Sequence, residues 1–495
     1  MKLLAMDSQT YQSHFVLIPY MTPGHLIPMI DVAKLLAQRN VLVSIVLTPL
    51  NVARFSNVID RSIQVGLPIQ VLEVKFPSVE VGLPEGYESP ETLPSRDLIK
   101  NFFRATDLLP ERVKKLFEQL KPSPSCMVAD KNFPWTADIA AKFQIPFRVI
   151  FDGMSSFSQL CFHSLQESKV YEKVSEFEPI VIPGLPDKIE LTTNKLPGEF
   201  NPGLSEDFKA LGRKMREGQV GAYGVIVNSF EELEPDYVEG YQKATGKKLW
   251  CVGPVSLCNK DDLDKAERGD KASNDVNQCL KWLDSWPANS VIYVCLGSLN
   301  GFTLAQLMEL GLGLEATNRP FVWVIRGEMK REIQKWLEED EFEKRVKERG
   351  LVILGWAPQV LILSHPAIGA FLTHCGWNST LEGICAGVPL VTWPLSAEQF
   401  INEKLITQVM KIGVPLGSDV MVPFGQEEKF GVLVKKEKIR EVVDKAMNED
   451  QGEEINKRAK RLAEMAKKAV EEGGSSYNNI TLLTEDIIQQ ARGHS

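Results

Sequence analysis

Residues 15–47 read FVLIPYMTPGHLIPMIDVAKLLAQRNVLVSIVL, and this stretch decides the fold class. The apolar run 15–19 is short enough for a strand. Tyr20-Met21-Thr22-Pro23-Gly24 ends it with a Pro-Gly turn. His25 to Gln38 then carries apolar residues at helical spacing, and Val41 to Leu47 is a second β-branched run. Strand, loop, helix, strand is the βαβ unit of a parallel sheet.

Working outward, the pattern repeats. Strands are predicted at Cys126 to Asp130, Arg148 to Phe151 and Gly224 to Asn228, with a helix from about Trp135 to Phe143. A second set of alternating units runs from Val291 to about residue 410. Its strands are Val291 to Leu296, Phe321 to Ile325, Leu351 to Leu354, Ile368 to Leu372 and Val388 to Trp393; its helices are 303–317, 359–364, 378–386 and 398–410. A chain of 495 residues exceeds one ordinary core, so two α/β domains are expected. Residues 258–278, CNKDDLDKAERGDKASNDVNQ, are charged and poor in large apolar side chains, the composition of an exposed linker without a catalytic role. The expected organisation is a first domain over 1–257, this linker, a second domain over 279–477, and a last helix within 478–495 that packs back on the first domain.

Apolar residues are 44% and charged residues 24% of the chain, the balance of a soluble globular protein. A net charge of −9 argues against a nucleic-acid or anionic-membrane partner, since phosphate surfaces demand clustered Lys and Arg. The eight cysteines show no C-x-x-C pair, so free thiols in a reducing cytoplasm are expected. No signal-peptide core or eighteen-residue apolar run is present, and Met6 offers a second candidate start.

Gly311-Leu-Gly313-Leu-Glu-Ala316 fits a loose dinucleotide fingerprint, but it falls inside a predicted helix rather than in the turn after a strand. P-loop, zinc-protease and serine-elbow motifs are absent. Of the six histidines, His14, His163, His365 and His494 have no evident partner, whereas His25 stands where the first strand gives way to a helix. Ligands of open α/β sheets gather at the carboxyl ends of strands. Asp130 ends another predicted strand and should emerge on the same edge, where a carboxylate can orient an imidazole. Taken alone, either residue could be a helix cap. In the second half, His374 precedes Gly376-Trp377-Asn378-Ser379 at a strand-to-helix junction, a place suited to a diphosphate. Asn378 and Ser379 could instead serve only as caps. Ser298, in Leu296-Gly-Ser-Leu299 at another strand end, could add a hydroxyl.

Residues 356–399, WAPQVLILSHPAIGAFLTHCGWNSTLEGICAGVPLVTWPLSAEQ, resemble in length and pattern the plant secondary-product box of the UDP-dependent glycosyltransferases. Pro23-Gly24-His25, Val128-Ala-Asp130 with Trp135, and Val294-Cys-Leu-Gly-Ser298 extend the resemblance over nearly the whole chain. It implies a GT-B architecture, two Rossmann-like domains with parallel sheets facing a cleft, and a monomer. It also implies that Trp356 stacks on uracil beside the backbone of Ala357, and that Gln359 and Glu382 hold the ribose. His374, Asn378, Ser379 and Ser298 would bind the diphosphate, and Trp377, Glu398 and Gln399 the sugar. A closing Gln399 goes with UDP-glucose, where a His often goes with UDP-galactose. His25 becomes the general base of an inverting transfer, oriented by Asp130, with no metal and no cofactor beyond the donor.

The implied acceptor is a small lipophilic alcohol or phenol such as a triterpenoid, steroid, flavonoid or hormone. Met21, Phe102, Phe103, Phe133, Phe151 and Phe157 could line its pocket, although each alone is more expected in the core. Where many relatives have a His or Thr after the strand following the Asp, this chain has Phe151-Asp152-Gly153-Met154. Ser155 and Ser156 stand nearby, but nothing in the sequence assigns them to the sugar. Two other classes compete: a UDP-sugar-binding protein without turnover, and an NAD-dependent α/β enzyme resting on Gly311 to Ala316.

Overall fold

A computed structural model describes residues 13–299, 301–327, 329–423 and 425–493; Met6 and His494 lie outside them. The first sheet is assembled from β1 (His14–Ile18), β2 (Leu42–Leu47), β3 (Ile69–Glu73), β4 (Cys126–Asp130) and β5 (Phe147–Asp152). After a small antiparallel hairpin of β6 (Pro179–Val181) and β7 (Glu190–Thr192), it is completed by β8 (Gly224–Val227) and β9 (Lys248–Cys251). Its order is β3-β2-β1-β4-β5-β8-β9, and every pairing is parallel.

The second sheet holds β10 (Val291–Cys295), β11 (Phe321–Ile325), β12 (Gly350–Leu354), β13 (Ile368–Thr373), β14 (Leu390–Thr392) and β15 (Gly413–Pro415). Its order is β12-β11-β10-β13-β14-β15, again wholly parallel. Both sheets reverse their strand order beside the first strand, the switch point where ligands of such sheets bind.

The inner apolar runs make strands because each is covered on both faces. Phe15 and Leu17 of β1 pack into one core while Val16 and Ile18 pack into another on the opposite side. In β10, Val291, Tyr293 and Cys295 face one cluster and Ile292 and Val294 face the next. The side-chain period of two therefore builds a core on each side. Among the described residues no helix is long and apolar enough to cross a membrane. All eight cysteines are unpaired.

Several boundaries move. The helix expected over 398–410 is α-helical only across Gln399–Lys404 and continues as a π-helical turn, Leu405–Val409. The strand expected over 388–393 shortens to β14. The last helix spans Ser475–Gly493 and lies against β9, with Asp486 accepting hydrogen bonds from Tyr223 and Lys248. Gly311 and Gly313 lie within the helix Leu304–Ala316, against Trp323 and Trp336 and against Ile439. They serve close packing and not a phosphate turn.

Phe102, Phe133, Phe151 and Phe157 are each at most 1% exposed and belong to the cores, as each taken alone was more expected to do. One expectation from composition fails. The segment 258–278 is not a freely solvated linker: it carries a short helix, Asp262–Ala266, and the Arg268 side chain is only 7% exposed.

Candidate active site

β1 and β4 are neighbours in register, Ile18 opposite Ala129, so the loop after β1 and the end of β4 share one sheet edge. Pro23 opens the helix Pro23–Ala37 with its ring already at helical φ, and Thr22 is the N-cap residue. His25 stands in the first helical turn, with its own N–H donated to the Thr22 carbonyl. Its side chain is therefore not a cap. His25 Nδ1 lies 2.8 Å from Asp130 Oδ2; the aspartate is fully buried and its other oxygen accepts from the Asn132 N–H at 2.9 Å. Burial disfavours the charged imidazole, but the charge and hydrogen bond of Asp130 outweigh it and hold the His25 pKa above the ordinary histidine value. Tyr20 meets the imidazole edge-on, with ring centroids 5.9 Å apart.

Gly153 explains the departure after β5. A Cβ there would lie 3.0 Å from His25 Cε1, so the glycine leaves the ring its room. Asp152 is paired with Lys131 at 2.8 Å. Ser155 and Ser156 are fully buried at the start of the next helix, where Ser155 Oγ accepts from the Ser158 N–H. Neither hydroxyl reaches the cleft.

The opposite wall comes from the second sheet. The helix Trp377–Ala386 begins one residue earlier than predicted, with Gly376 at its N-cap and no side chain capping it. Asn378 and Ser379 are thus not caps. Asn378 reaches the other domain: its amide donates to the Gly24 carbonyl and its oxygen accepts from the Asn228 amide at 3.0 Å. Trp377 is 2% exposed and its indole N–H is donated to the Asn228 carbonyl at 2.7 Å, so the ring nitrogen is spent within the protein.

His374 is half-buried between Gly297 and Gly376, each of which would drive a Cβ into the imidazole. Its Nδ1 has no partner within the protein. Burial, assisted by the Arg326 charge, brings its pKa down to about 4, so it is neutral at pH 7. Ser298 follows Gly297 on the same rim.

Deeper in, Gln359 donates to Glu382 at 2.8 Å and to Ser379 at 3.1 Å, and the second Glu382 oxygen accepts from Arg268. Trp356 has the Arg326 guanidinium 4.2 Å from its ring centre, and its buried indole N–H has no partner. Gln399 folds its carbonyl back onto the Leu395 and Ser396 N–H groups. A cavity of about 340 Å³ joins these groups and includes every sequence-predicted site residue except the buried Asp130, which reaches it through His25.

A second cavity of about 850 Å³ shares Ala397 and Glu398 with the first. Met154, Phe162, Phe200 and Met215 supply its apolar wall, and the ion pairs Lys131–Asp152 and Arg216–Glu199 its polar one. Sequence reasoning met Asp152 and Met154 only as a departure from relatives and assigned none of these side chains to a pocket. It also missed Arg268, Arg326 and Asn228, whose signal was at most a charge or an amide beside a strand or a glycine.

A family model described as UDP-glucoronosyl and UDP-glucosyl transferase matches residues 262–423. The chain is 52% identical to UDP-glycosyltransferase 73C12 of Barbarea vulgaris, covering 98% of this chain and 99% of that one. It is 53% identical to UDP-glycosyltransferase 73C3 of Arabidopsis thaliana, covering 97% of each. Among solved structures, Glycyrrhiza uralensis UGT73P12, complexed with glycyrrhetinic acid 3-O-monoglucuronide, superposes with a TM-score of 0.90 at 38% identity over 97% of each chain. Medicago truncatula UGT71G1, complexed with UDP-glucose, gives 0.75 at 27% identity over 96% of this chain and 98% of that one. Likeness of this depth along nearly the full length of both partners, on the GT-B fold, makes the chain a member of the plant UDP-glycosyltransferases.

Proposed function

We propose that this glycosyltransferase moves glucose from UDP-glucose to a hydroxyl of a small lipophilic acceptor, with inversion at the anomeric carbon. The observation that carries the proposal is the meeting of the His25–Asp130 pair and the 356–399 residues on opposite walls of one cavity. Asp130 takes the Nδ1 proton of His25 in a hydrogen bond, which leaves the Nε2 lone pair for the acceptor hydroxyl. As that oxygen bonds to the anomeric carbon, its proton passes to His25 and the bond to UDP breaks. Asp130 stabilises the resulting imidazolium. The leaving diphosphate meets the uncapped helix start at Trp377, neutral His374 and Ser298.

Trp356 offers uracil a stacking surface beside Ala357. Gln359 and Glu382 take the ribose hydroxyls, and Glu398, Gln399 and the Trp377 backbone take the glucose. The 850 Å³ cavity is assigned to the acceptor because it shares Ala397 and Glu398 with the donor cavity. UGT73P12 holds a triterpenoid glucuronide, which supports a triterpenoid or steroid acceptor here as well. No metal takes part in this scheme. The unpaired cysteines suit the cytoplasm, the compartment we assign.

The test is a screen of UDP-glucose, UDP-galactose and UDP-glucuronate against triterpenoid, steroid, flavonoid and hormone alcohols, with and without EDTA. Products are read by mass and the anomeric configuration by NMR. Glucosides of inverted configuration that form equally in EDTA are expected. Galactosides or glucuronides as the main products would overturn the donor assignment, and retained configuration the mechanism.

A further inference from the structure

The segment between the two sheets is built into the donor site. Arg268 donates through Nε to Asp31 Oδ2 at 2.7 Å and through Nη1 to Glu382 Oε1. Asp31 lies on Pro23–Ala37, the helix whose first turn carries His25, and Glu382 lies on Trp377–Ala386, the helix that faces it. All three side chains are at most 9% exposed. Gly269 then runs so close to the Trp356 ring that any Cβ would collide with it. Ser273 closes the strap with two hydrogen bonds to the Trp356 backbone, its N–H to the carbonyl at 2.9 Å and its hydroxyl receiving the Trp356 N–H at 2.8 Å. On its outer side the strap is tied to the helix Pro49–Gln64, where Arg54 donates to Asp270 at 3.1 Å and Arg61 to Asp264 at 2.7 Å.

A buried carboxylate is an accurate ribose ligand only if something fixes its plane and balances its charge. Gln359 holds one oxygen of Glu382 and Arg268 the other, and each oxygen keeps a second lone pair for a hydroxyl. The vicinal diol can therefore dock on a carboxylate that is already oriented, with no need to displace the guanidinium.

We propose that Arg268 is a positioning residue of the nucleotide site: by bridging Asp31 and Glu382 it aims the carboxylate that receives the ribose hydroxyls and ties donor binding to the seating of the first domain. The proposal rests on Glu382 being the ribose ligand. Its test compares the binding of UDP and of 2′,3′-dideoxy-UDP by calorimetry in the wild type, Arg268→Ala, Arg268→Lys, Asp31→Asn and Glu382→Gln, with kcat and KM for the donor measured alongside. The wild type is expected to favour UDP about tenfold or more, as hydrogen bonds to a charged group do. Arg268→Ala should lose most of that preference and raise the donor KM by a similar factor with kcat nearly unchanged. Arg268→Lys should recover part of it, and Asp31→Asn should fall between.

An Arg268→Ala protein that unfolds at the wild-type temperature and keeps the full preference for UDP would overturn the proposal, as would an unaltered preference in both Arg268→Lys and Asp31→Asn if the alanine variant does not fold. Preference retained in Glu382→Gln as well would instead remove the ribose assignment on which it rests. Preference lost in Glu382→Gln alone would defeat only the role of Arg268.

Discussion

The two walls of the cleft are finished to different degrees. On the first-domain side the His25–Asp130 pair is complete within the protein: both Asp130 oxygens accept hydrogen bonds and His25 Nδ1 is held at 2.8 Å. On the second-domain side polar atoms are buried without partners, among them His374 Nδ1 and the Trp356 indole N–H, and a helix starts without a side-chain cap. Buried polar atoms without partners cost free energy, and these two both line the cavity, where a bound ligand could satisfy them. A catalytic base must keep its geometry whether or not substrate is present, whereas a donor seat can leave valences open for the donor to fill.

The largest expected effect tests the finished wall. His25→Ala should lower kcat by about 10²–10⁴-fold, the usual worth of general-base catalysis, while UDP binds as before. A parallel loss of UDP affinity would mean that the two walls are not separable in this way. On the open wall, Trp356→Ala should weaken UDP by about 5–150-fold, because stacking of a base on an aromatic ring is worth ~1–3 kcal/mol. The proton taken up by His25 in catalysis should be unaffected, so the acid limb of the pH profile should stay in place.

A third change sharpens the comparison by pH. Since the His25 pKa is raised, the neutral, active form is lost as pH falls through a value above the ordinary histidine one, and kcat/KM should fall with it. Asp130→Asn removes the charge that raises this pKa, so the acid limb should move to lower pH while the plateau rate drops. A limb that does not move would assign the titration to another group. The smallest effect is expected from Gly297→Ala. The glycine has φ +82°, and its new Cβ would meet His374 Nε2 at 2.6 Å, so the donor KM should rise several-fold with little change in kcat.

The meeting of His25 and Asp130 was legible from sequence because it depends on short-range signals joined by one rule. An apolar run fixes a strand, Pro23-Gly24 fixes its end, and parallel strands deliver their carboxyl ends to one edge, so His25 and Asp130 meet although 105 residues separate them. The partners of Trp377 and of Arg268 were not legible. The indole N–H that could have served a sugar is donated to Asn228, and Arg268 is a charged residue in a charged run until the chain folds it between two carboxylates. The aromatic residues of the first domain show the same limit. Phe157 and Phe162 read alike in sequence, yet one is fully buried in a core and the other lines the 850 Å³ cavity.

The sequence by itself determined two parallel α/β sheets, the sheet edge on which the chemistry sits and a box that resembles a nucleotide-sugar seat, because hydrophobic period and turn residues act over a few neighbours. Only the tertiary structure decided which polar groups are spent on the fold and which are left for a ligand. That distinction is a matter of burial and partnership between residues far apart in the chain, and local pattern carries no record of it.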